Sequence, residues 1–490
     1  MEKTKKESRF PYGEEYKNRI REENERCFLK DKQNIKYHSF ILLELVPLEK
    51  TEQLIFGLDK LYADASLSQK SRLNYKKHLS DCHSKLFQRF IFNLPYIVTS
   101  NPKGKGESFS PDSIFYDLGD NIQSIYISIY KVMPSSVLLR FQVCLNSKIS
   151  EKINDLIYQY HEEIRESIKT PKGEYITVYD PEIKKETEIY QLRKDLHKEA
   201  LDFLKNYFNG YFFELSKENI SVVPSIDLFS LDYPVKENDI LNWGIENRPF
   251  FSCFSTSITP WESFKYENYL FCTESKRDVA FNNYVIFANR ETSKEKIYPD
   301  IDSAIELKLN FCSFDLIGIE RWVRIQENVV GKLISTVLEE ISKIQKNKFS
   351  KAIETRKIIL KNVFSFKRFG VGSKWNSVFF DRFTFMSLKD KKNPKRQIDL
   401  FKNLKERIDT RIKEISNLID VFTKQYETIL NLKNLEFSKN MNNIVLWLTF
   451  FIVFLIIIQI TISVNPNIDI IELIKKGINY ILLIIKRVYQ

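Results

Sequence analysis

The sequence predicts an α+β head, a long coiled-coil-like helical stalk and a C-terminal transmembrane helix. The run of 21 residues from Ile444 to Val464 carries no charge, and a bilayer core needs about 20 apolar residues of helix. No Gly or Pro interrupts residues 395–465, as expected of one unbroken helix. Before residue 320, strand-like and helix-like runs follow each other without a fixed period, which indicates an α+β head rather than a βαβ repeat.

Length and patterning divide the chain of 490 residues into five segments. We predict a charged lead-in at 1–35, a head at 36–320 with a subdomain break near 148–210, a helical hairpin or stalk at 321–443, the span at 444–464, and an amphipathic tail or second span at 465–490. The six cysteines are scattered without a CxxC pair, a pattern typical of a reducing compartment. The basic N-terminus has no apolar run behind it, so we expect a cytoplasmic head.

The elements of the head are predicted from the period of their apolar residues. His38–Leu48 is a compact apolar run, typical of a buried strand. The runs 122–132 and 137–145 flank a Pro-Ser turn and predict a β-hairpin. Further strands are predicted at 249–257, 284–288 and 304–319, and helices at 51–93, 150–168, 188–208, 321–346 and 349–363, with a turn region at 366–394.

The stalk is predicted from a seven-residue repeat of apolar residues. Its members are Phe401, Ile408, Ile415, Phe422 and Ile429. Ile412 and Ile419 widen this seam beyond what one exposed helix can bury. The partner is predicted to be the 321–363 segment of the same chain, a neighbouring subunit, or both, and we expect a homo-oligomer.

The apolar run predicts the lipid bilayer as a partner. Trp447 lies one turn inside its start, where an indole suits the headgroup level. The residues assigned to the span are Ile444, Trp447, Phe450, Phe451, Phe454, Gln459 and Val464. The tail that follows has two interpretations: an interfacial amphipathic helix, or a return span in which Lys475 and Lys476 would lie near a pore or an interface.

A basic segment precedes the stalk. Residues 343–396 hold 16 Lys or Arg against three acidic residues, so anionic lipid, nucleic acid or an acidic protein could bind there. The residues assigned to an anion or acidic partner are Lys389, Lys391, Lys392, Lys395 and Arg396. If the two stalk helices form a hairpin, this segment lies far from the membrane, which weighs against lipid.

Catalytic and metal-binding patterns are weak. The loop at 103–108 lacks the spacing of a phosphate-binding loop. His78, Cys82 and His83 have no second cluster that would complete a zinc site. We therefore predict no cofactor and favour a non-catalytic protein, although an enzyme site built from distant residues of the head stays open.

The C-terminal quarter resembles CorA-type divalent-cation transporters in its layout. Residues 395–439 correspond to the stalk helix of that family, 444–464 to its first span and 468–485 to its second. The resemblance implies an oligomer. The family's Gly-Met-Asn signature is absent, because residues 463–467 are Ser-Val-Asn-Pro-Asn, so no ion-selectivity residue is carried over.

These observations favour one function and leave two alternatives. The first is a membrane-anchored cytoplasmic scaffold, sensor or effector presented on an oligomeric stalk. The alternatives are an oligomeric CorA-like channel or transporter with two C-terminal spans, and a membrane-tethered enzyme with its site in the head.

Overall fold

The computed structural model describes residues 13–64, 91–94, 97–99, 114–133, 136–170, 173–217, 220–259, 263–273, 283–290, 314–343, 385–388 and 397–464, together with Lys475 and Asn479. The helices are α1 Glu14–Arg26, α2 Thr51–Asp64, α3 Ser147–Tyr158, α4 Pro181–Leu204, α5 Tyr211–Leu215, α6 Glu237–Glu246, α7 Arg248–Ser252, α8 Asp315–Lys343 and α9 Leu400–Val464. The strands are β1 Lys36–Pro47, β2 Ile91–Asn93, β3 Ile97–Thr99, β4 Ile114–Tyr116, β5 Ile122–Met133, β6 Ser136–Leu145, β7 Ile164–Thr170, β8 Gly173–Tyr179, β9 Ser225–Leu231, β10 Ser263–Tyr266, β11 Tyr269–Cys272, β12 Asn283–Asn289 and β13 Met386–Ser387.

One large mixed sheet organises the head, which is a mixed α/β fold. In the described ranges its strand order is β13-β10-β11-β12-β9-β1-β6-β5-β3-β4, and β2 pairs separately with β5. The pairs β9–β12 and β3–β4 are parallel, and the others are antiparallel. Strands β7 and β8 form a two-stranded sheet of their own.

Strand β1 lies at the centre of the sheet, between β6 and β9. Every residue from Tyr37 to Val46 is buried, because helices cover both faces, and a strand covered on both sides needs a continuous apolar run. This confirms the strand predicted at 38–48. The predicted hairpin is also confirmed, since β5 and β6 pair antiparallel along their length.

Helices pack on both faces of the sheet. On one face Phe141 of β6 contacts Phe208 and Phe213, which follow α4 and lie in α5. Its neighbour Arg140 points to the other face, where its guanidinium lies over the ring of Phe314. Helix α8 approaches that second face closely at Gly318, where an added Cβ would lie 2.9 Å from a methyl carbon of Leu138.

Several predicted elements are wrong. The strand predicted at 249–257 is instead helix α7 up to Ser252, followed by a turn at 253–255; the helix begins at Arg248 with Pro249 in its first turn. The helix predicted at 150–168 ends at Tyr158, and strand β7 occupies its last part. Residues 91–93, the end of the helix predicted at 51–93, form strand β2. Residues 315–319, the end of the strand predicted at 304–319, belong to helix α8, which begins at Asp315. Residues 65–90, 304–313 and 349–363, and the predicted turn region apart from 385–388, lie outside the described chain.

The predicted helical hairpin is not formed where α8 and α9 meet. Phe314 contacts Phe401 with ring centroids 6.5 Å apart. Further along, Glu320 forms an ion pair with Arg407 at 3.3 Å, and Glu327 forms one with Arg411. The numbers rise together on both helices, so over this stretch the helices run in the same direction. Only a hairpin would have placed the basic segment far from the membrane, so anionic lipid stays among the partners predicted for it.

By their internal contacts, residues divide into two compact units, Met1–Ile415 and Ser416–Gln490. In the first unit α9 begins among the rings of Phe314, Phe385 and Phe401. In the second unit the described residues form a helix through Val464, as predicted for the unbroken segment. Asn434–Ile460 is long and apolar enough to cross a membrane, and almost all of it is exposed.

Candidate functional site

A cluster of buried ionisable side chains surrounds Asp227 of β9. Its Oδ1 accepts hydrogen bonds from Tyr37 Oη (2.5 Å) and from His197 Nε2 (2.9 Å). Its Oδ2 accepts two from the guanidinium of Arg193, with Nε at 2.7 Å. All four side chains are buried. We call these four residues the Asp227 network.

The local sequence explains why these groups meet. Arg193 and His197 lie four residues apart, on the same face of α4. Asp227 lies directly opposite Phe40 in the β1–β9 pairing, and the ring of Phe40 lies 4.4 Å from the imidazole of His197. Arg193 also donates to the carbonyl oxygen of Phe254, at 3.2 Å. The network therefore attaches α4 to the two central strands and to the segment after α7.

The charges of the network are matched. Burial alone would raise the pKa of Asp227, but the positive charge of Arg193 and the hydrogen bonds from His197 and Tyr37 hold it well below its usual range. The carboxylate is therefore ionised, and since it can only accept hydrogen bonds, His197 Nε2 carries a proton. Burial and the charge of Asp227 raise the pKa of Tyr37, which stays a neutral donor.

This geometry suits structure rather than proton transfer. A carboxylate has about four lone-pair positions, and four donors in the network occupy them. A general base needs a position from which it can take a substrate proton. Asp227 offers none in this arrangement, and its hydrogen bonds join α4 to β1 and β9.

A second buried cluster surrounds Lys185 of α4. Its Nζ donates to the carbonyl oxygens of Ile157 (2.6 Å) and Gln159 at the C-terminal end of α3, where a cation is favoured by the helix dipole. Burial lowers the pKa of this amine to about 8. A hydrogen bond to Cys27, together with burial, raises the pKa of the neighbouring Cys253 thiol, so that thiol stays protonated. Lys185 thus caps the C-terminal end of α3 and stabilises the packed core around it.

No metal site is found in the part of the chain that the structure describes, where no three His, Cys, Asp or Glu side chains are grouped to hold an ion. His78, Cys82 and His83 lie outside that part. No family model matches this chain. No curated protein matches it either. The resemblance to CorA-type transporters therefore stays a prediction that rests on layout alone.

The predicted seam of α9 is buried inside a single chain. Phe401, Ile408, Ile415 and Phe422 are each at most 6% exposed, and Phe401 contacts Phe314 and Phe385. The sequence left the partner of this seam open. Through Ile415, the seam packs against the head of the same chain. The side chain of Ile429 lies outside the described part.

The residues assigned to the span stand out from the helix. Ile444, Trp447, Phe450 and Phe451 are between 52% and 58% exposed. Phe454 is half-buried and Gln459 is exposed, while the side chain of Val464 is outside the description. Exposed apolar side chains surround α9 from Ile444 to Ile460, with Ile458 as a buried exception. A helix that is apolar all round suits a lipid environment.

The basic residues assigned to partners are described only in part. The set Lys389, Lys391, Lys392, Lys395 and Arg396 lies outside the described residues, as does Lys476. Lys475 is helical and exposed.

The Asp227 network escaped prediction because its members are far apart in sequence. The available signals were an aspartate within the apolar strand run Ser225–Leu231 and an Arg-His pair at four-residue spacing in α4. Neither identifies the other without knowledge of the strand order.

Proposed function

We propose that this protein is a membrane-anchored cytoplasmic head that acts as a non-catalytic scaffold, sensor or effector. The observation that carries the proposal is the exposed apolar segment Asn434–Ile460 of α9, which is 27 residues long. At about 1.5 Å per residue it extends on the order of 40 Å, more than the ~30 Å of a bilayer core. In water this surface would be costly to leave uncovered.

Two features of the head support the rest of the proposal. The ionisable groups of the Asp227 network and of the Lys185 cluster are used in internal hydrogen bonds, which favours a binding or presenting role over catalysis. Cys27 and Cys253 are neighbours and are not joined by a disulfide. Free adjacent thiols fit a reducing compartment and hence a cytoplasmic head. The two-span channel stays a prediction, since most of the tail lies outside the described residues.

Carbonate extraction of membranes tests the anchor. We expect the full chain to remain in the membrane pellet. In a variant with Phe451→Lys and Leu455→Lys, two charges enter the middle of the span, each costing roughly 2.5–3.5 kcal/mol on insertion, so that variant should move to the supernatant. The matched control carries Glu427→Lys and Asn431→Lys on the exposed helix before the span and should stay in the pellet.

Release of the unaltered chain by carbonate would overturn the proposal. The side of the membrane is tested separately by protease protection. Protease added to intact cells should leave the head whole, and the same protease should digest it after permeabilisation. Digestion in intact cells would show that the head lies outside.

A further inference from the structure

A second apolar stripe lies on α9 before the predicted span 444–464 and reaches the first residues of the exposed segment Asn434–Ile460. Leu418, Val421 and Leu435 are 48%, 54% and 67% exposed. Their spacing places Leu418 at one core position of a heptad, and Val421 and Leu435 at the other. In the sequence, Gln425, Thr428 and Leu432 occupy the intervening core positions. At 100° per residue this outer stripe lies roughly a third of a turn away from the buried seam.

We infer that the outer stripe binds the same stripe of a second copy of this chain, with the two helices parallel. This inference rests on the proposed membrane anchor. The helix runs without interruption from Leu418 through the apolar segment. All anchored copies therefore carry the stripe at the same position along the membrane normal and in the same direction. Identical residues then meet at each level, which is the arrangement of a parallel coiled coil.

The positions beside the stripe are compatible with this pairing. In a parallel pair, the position of Lys424 on one helix lies beside the position of Ile429 on the other. The position of Asn431 likewise lies beside that of Glu436. No two like charges meet at these flanking positions, which set partner choice in coiled coils. The polar side chain of Thr428 at a core position weakens the contact but fixes its register.

The stripe is short, from Leu418 to Leu435. A coiled coil of this length is weak between free chains, and confinement to one membrane raises the effective concentration of the partner helix. We therefore expect pairing in membranes and its loss when detergent dilutes the chains.

This subunit contact lies on a different face of α9 from the predicted seam. The sequence left the seam from Phe401 to Ile429 open to the same chain, a neighbouring subunit or both, and the described part of that seam is buried within one chain. The outer stripe, in contrast, is exposed, so a neighbouring copy can reach it while the head stays folded.

Disulfide cross-linking of the full chain in carbonate-washed membranes tests the pairing. Single variants Leu418→Cys and Leu435→Cys place cysteines on the stripe, and Glu427→Cys and Asn434→Cys are exposed controls on the other side of the helix. A disulfide needs Cα atoms about 4.4–6.8 Å apart. Under mild oxidation we expect the stripe variants to give about tenfold more product than the controls, at twice the mass of the chain, since only core positions come within that range.

A third variant separates pairing from folding. Val421→Asp combined with Leu435→Cys should lose the cross-link and stay in the membrane, because Val421 is exposed and the head does not depend on it. Equal cross-linking of stripe and control variants, or a product of another mass, would overturn the pairing while leaving the anchor intact. Loss of the chain during the carbonate wash would instead overturn the anchor.

Discussion

Replacing Asp227 by asparagine should strongly destabilise the head. The substitution keeps the size of the side chain and removes its charge. Arg193, which donates two hydrogen bonds to this carboxylate and is 3% exposed, would keep a buried positive charge without its partner. Breaking one side of a buried ion pair costs about 3–5 kcal/mol, a large part of the 5–15 kcal/mol typical of a domain.

The free energy of unfolding is measured by urea titration of the full chain held in lipid nanodiscs. Tryptophan fluorescence reports on the head, because Trp322 is buried beside Tyr211 and Trp243 contacts Phe251. The expected result is a lower urea midpoint with an unchanged slope, as for a loss of stability without a change in the surface exposed on unfolding.

Two further variants serve as controls for Asp227→Asn. Arg411→Met removes a partly exposed ion pair with Glu327 and should cost less than ~1 kcal/mol. Asp227→Leu combined with Arg193→Met removes both charges and should recover much of the loss, because no unpaired charge remains. A loss of stability in Asp227→Asn no larger than that in Arg411→Met would contradict a strong buried ion pair, as would a double variant as unstable as Asp227→Asn.

Two other predictions concern stability. Gly57→Ala should destabilise the head, because the added Cβ would lie 1.7 Å from the carbonyl oxygen of Tyr207. Gly331→Ala meets no atom within 4 Å and should stabilise helix α8 by about 0.5–1 kcal/mol. Equal thermal midpoints for the two variants would contradict this. Burial raises the pKa of Glu44 from 4.5 to about 8, so between those values the folded state binds the extra proton and stability should fall as pH rises. Urea midpoints at pH 5 and pH 8 measure the fall, which should shrink in Glu44→Gln; an unchanged fall in that variant would assign the effect to other groups.

The sequence predicted correctly those elements whose pattern of apolar residues is typical of one kind of secondary structure. The strand β1 and the β5–β6 hairpin follow from an apolar run and a period of two, and the unbroken helix α9 follows from the lack of Gly and Pro. The segment 249–257 failed because Phe250, Phe251 and Phe254 are all buried. Such a short apolar run fits a strand or a buried helix equally well.

Other failures came from contacts between distant residues. Helix α3 ends where Lys185, 27 residues after Tyr158, donates to its last carbonyl groups. The direction of α8 relative to α9 is set by how the head holds Phe314 and Phe401, and no local pattern records it. The Asp227 network likewise depends on strand order, because β1 and β9 become neighbours across 177 intervening residues, 48 to 224.

The position of β1 also bears on synthesis of the chain. The ribosome makes this strand first, yet its neighbours β6 and β9 begin only at residues 136 and 225. Its ten buried residues must meanwhile avoid pairing with other nascent chains, a hazard for any unpaired apolar strand. The apolar part of α9 emerges later still, so the head can close around its first strand before that segment is complete. With the anchor proposed above, membrane insertion would be a late event, performed by a protein whose head is already folded.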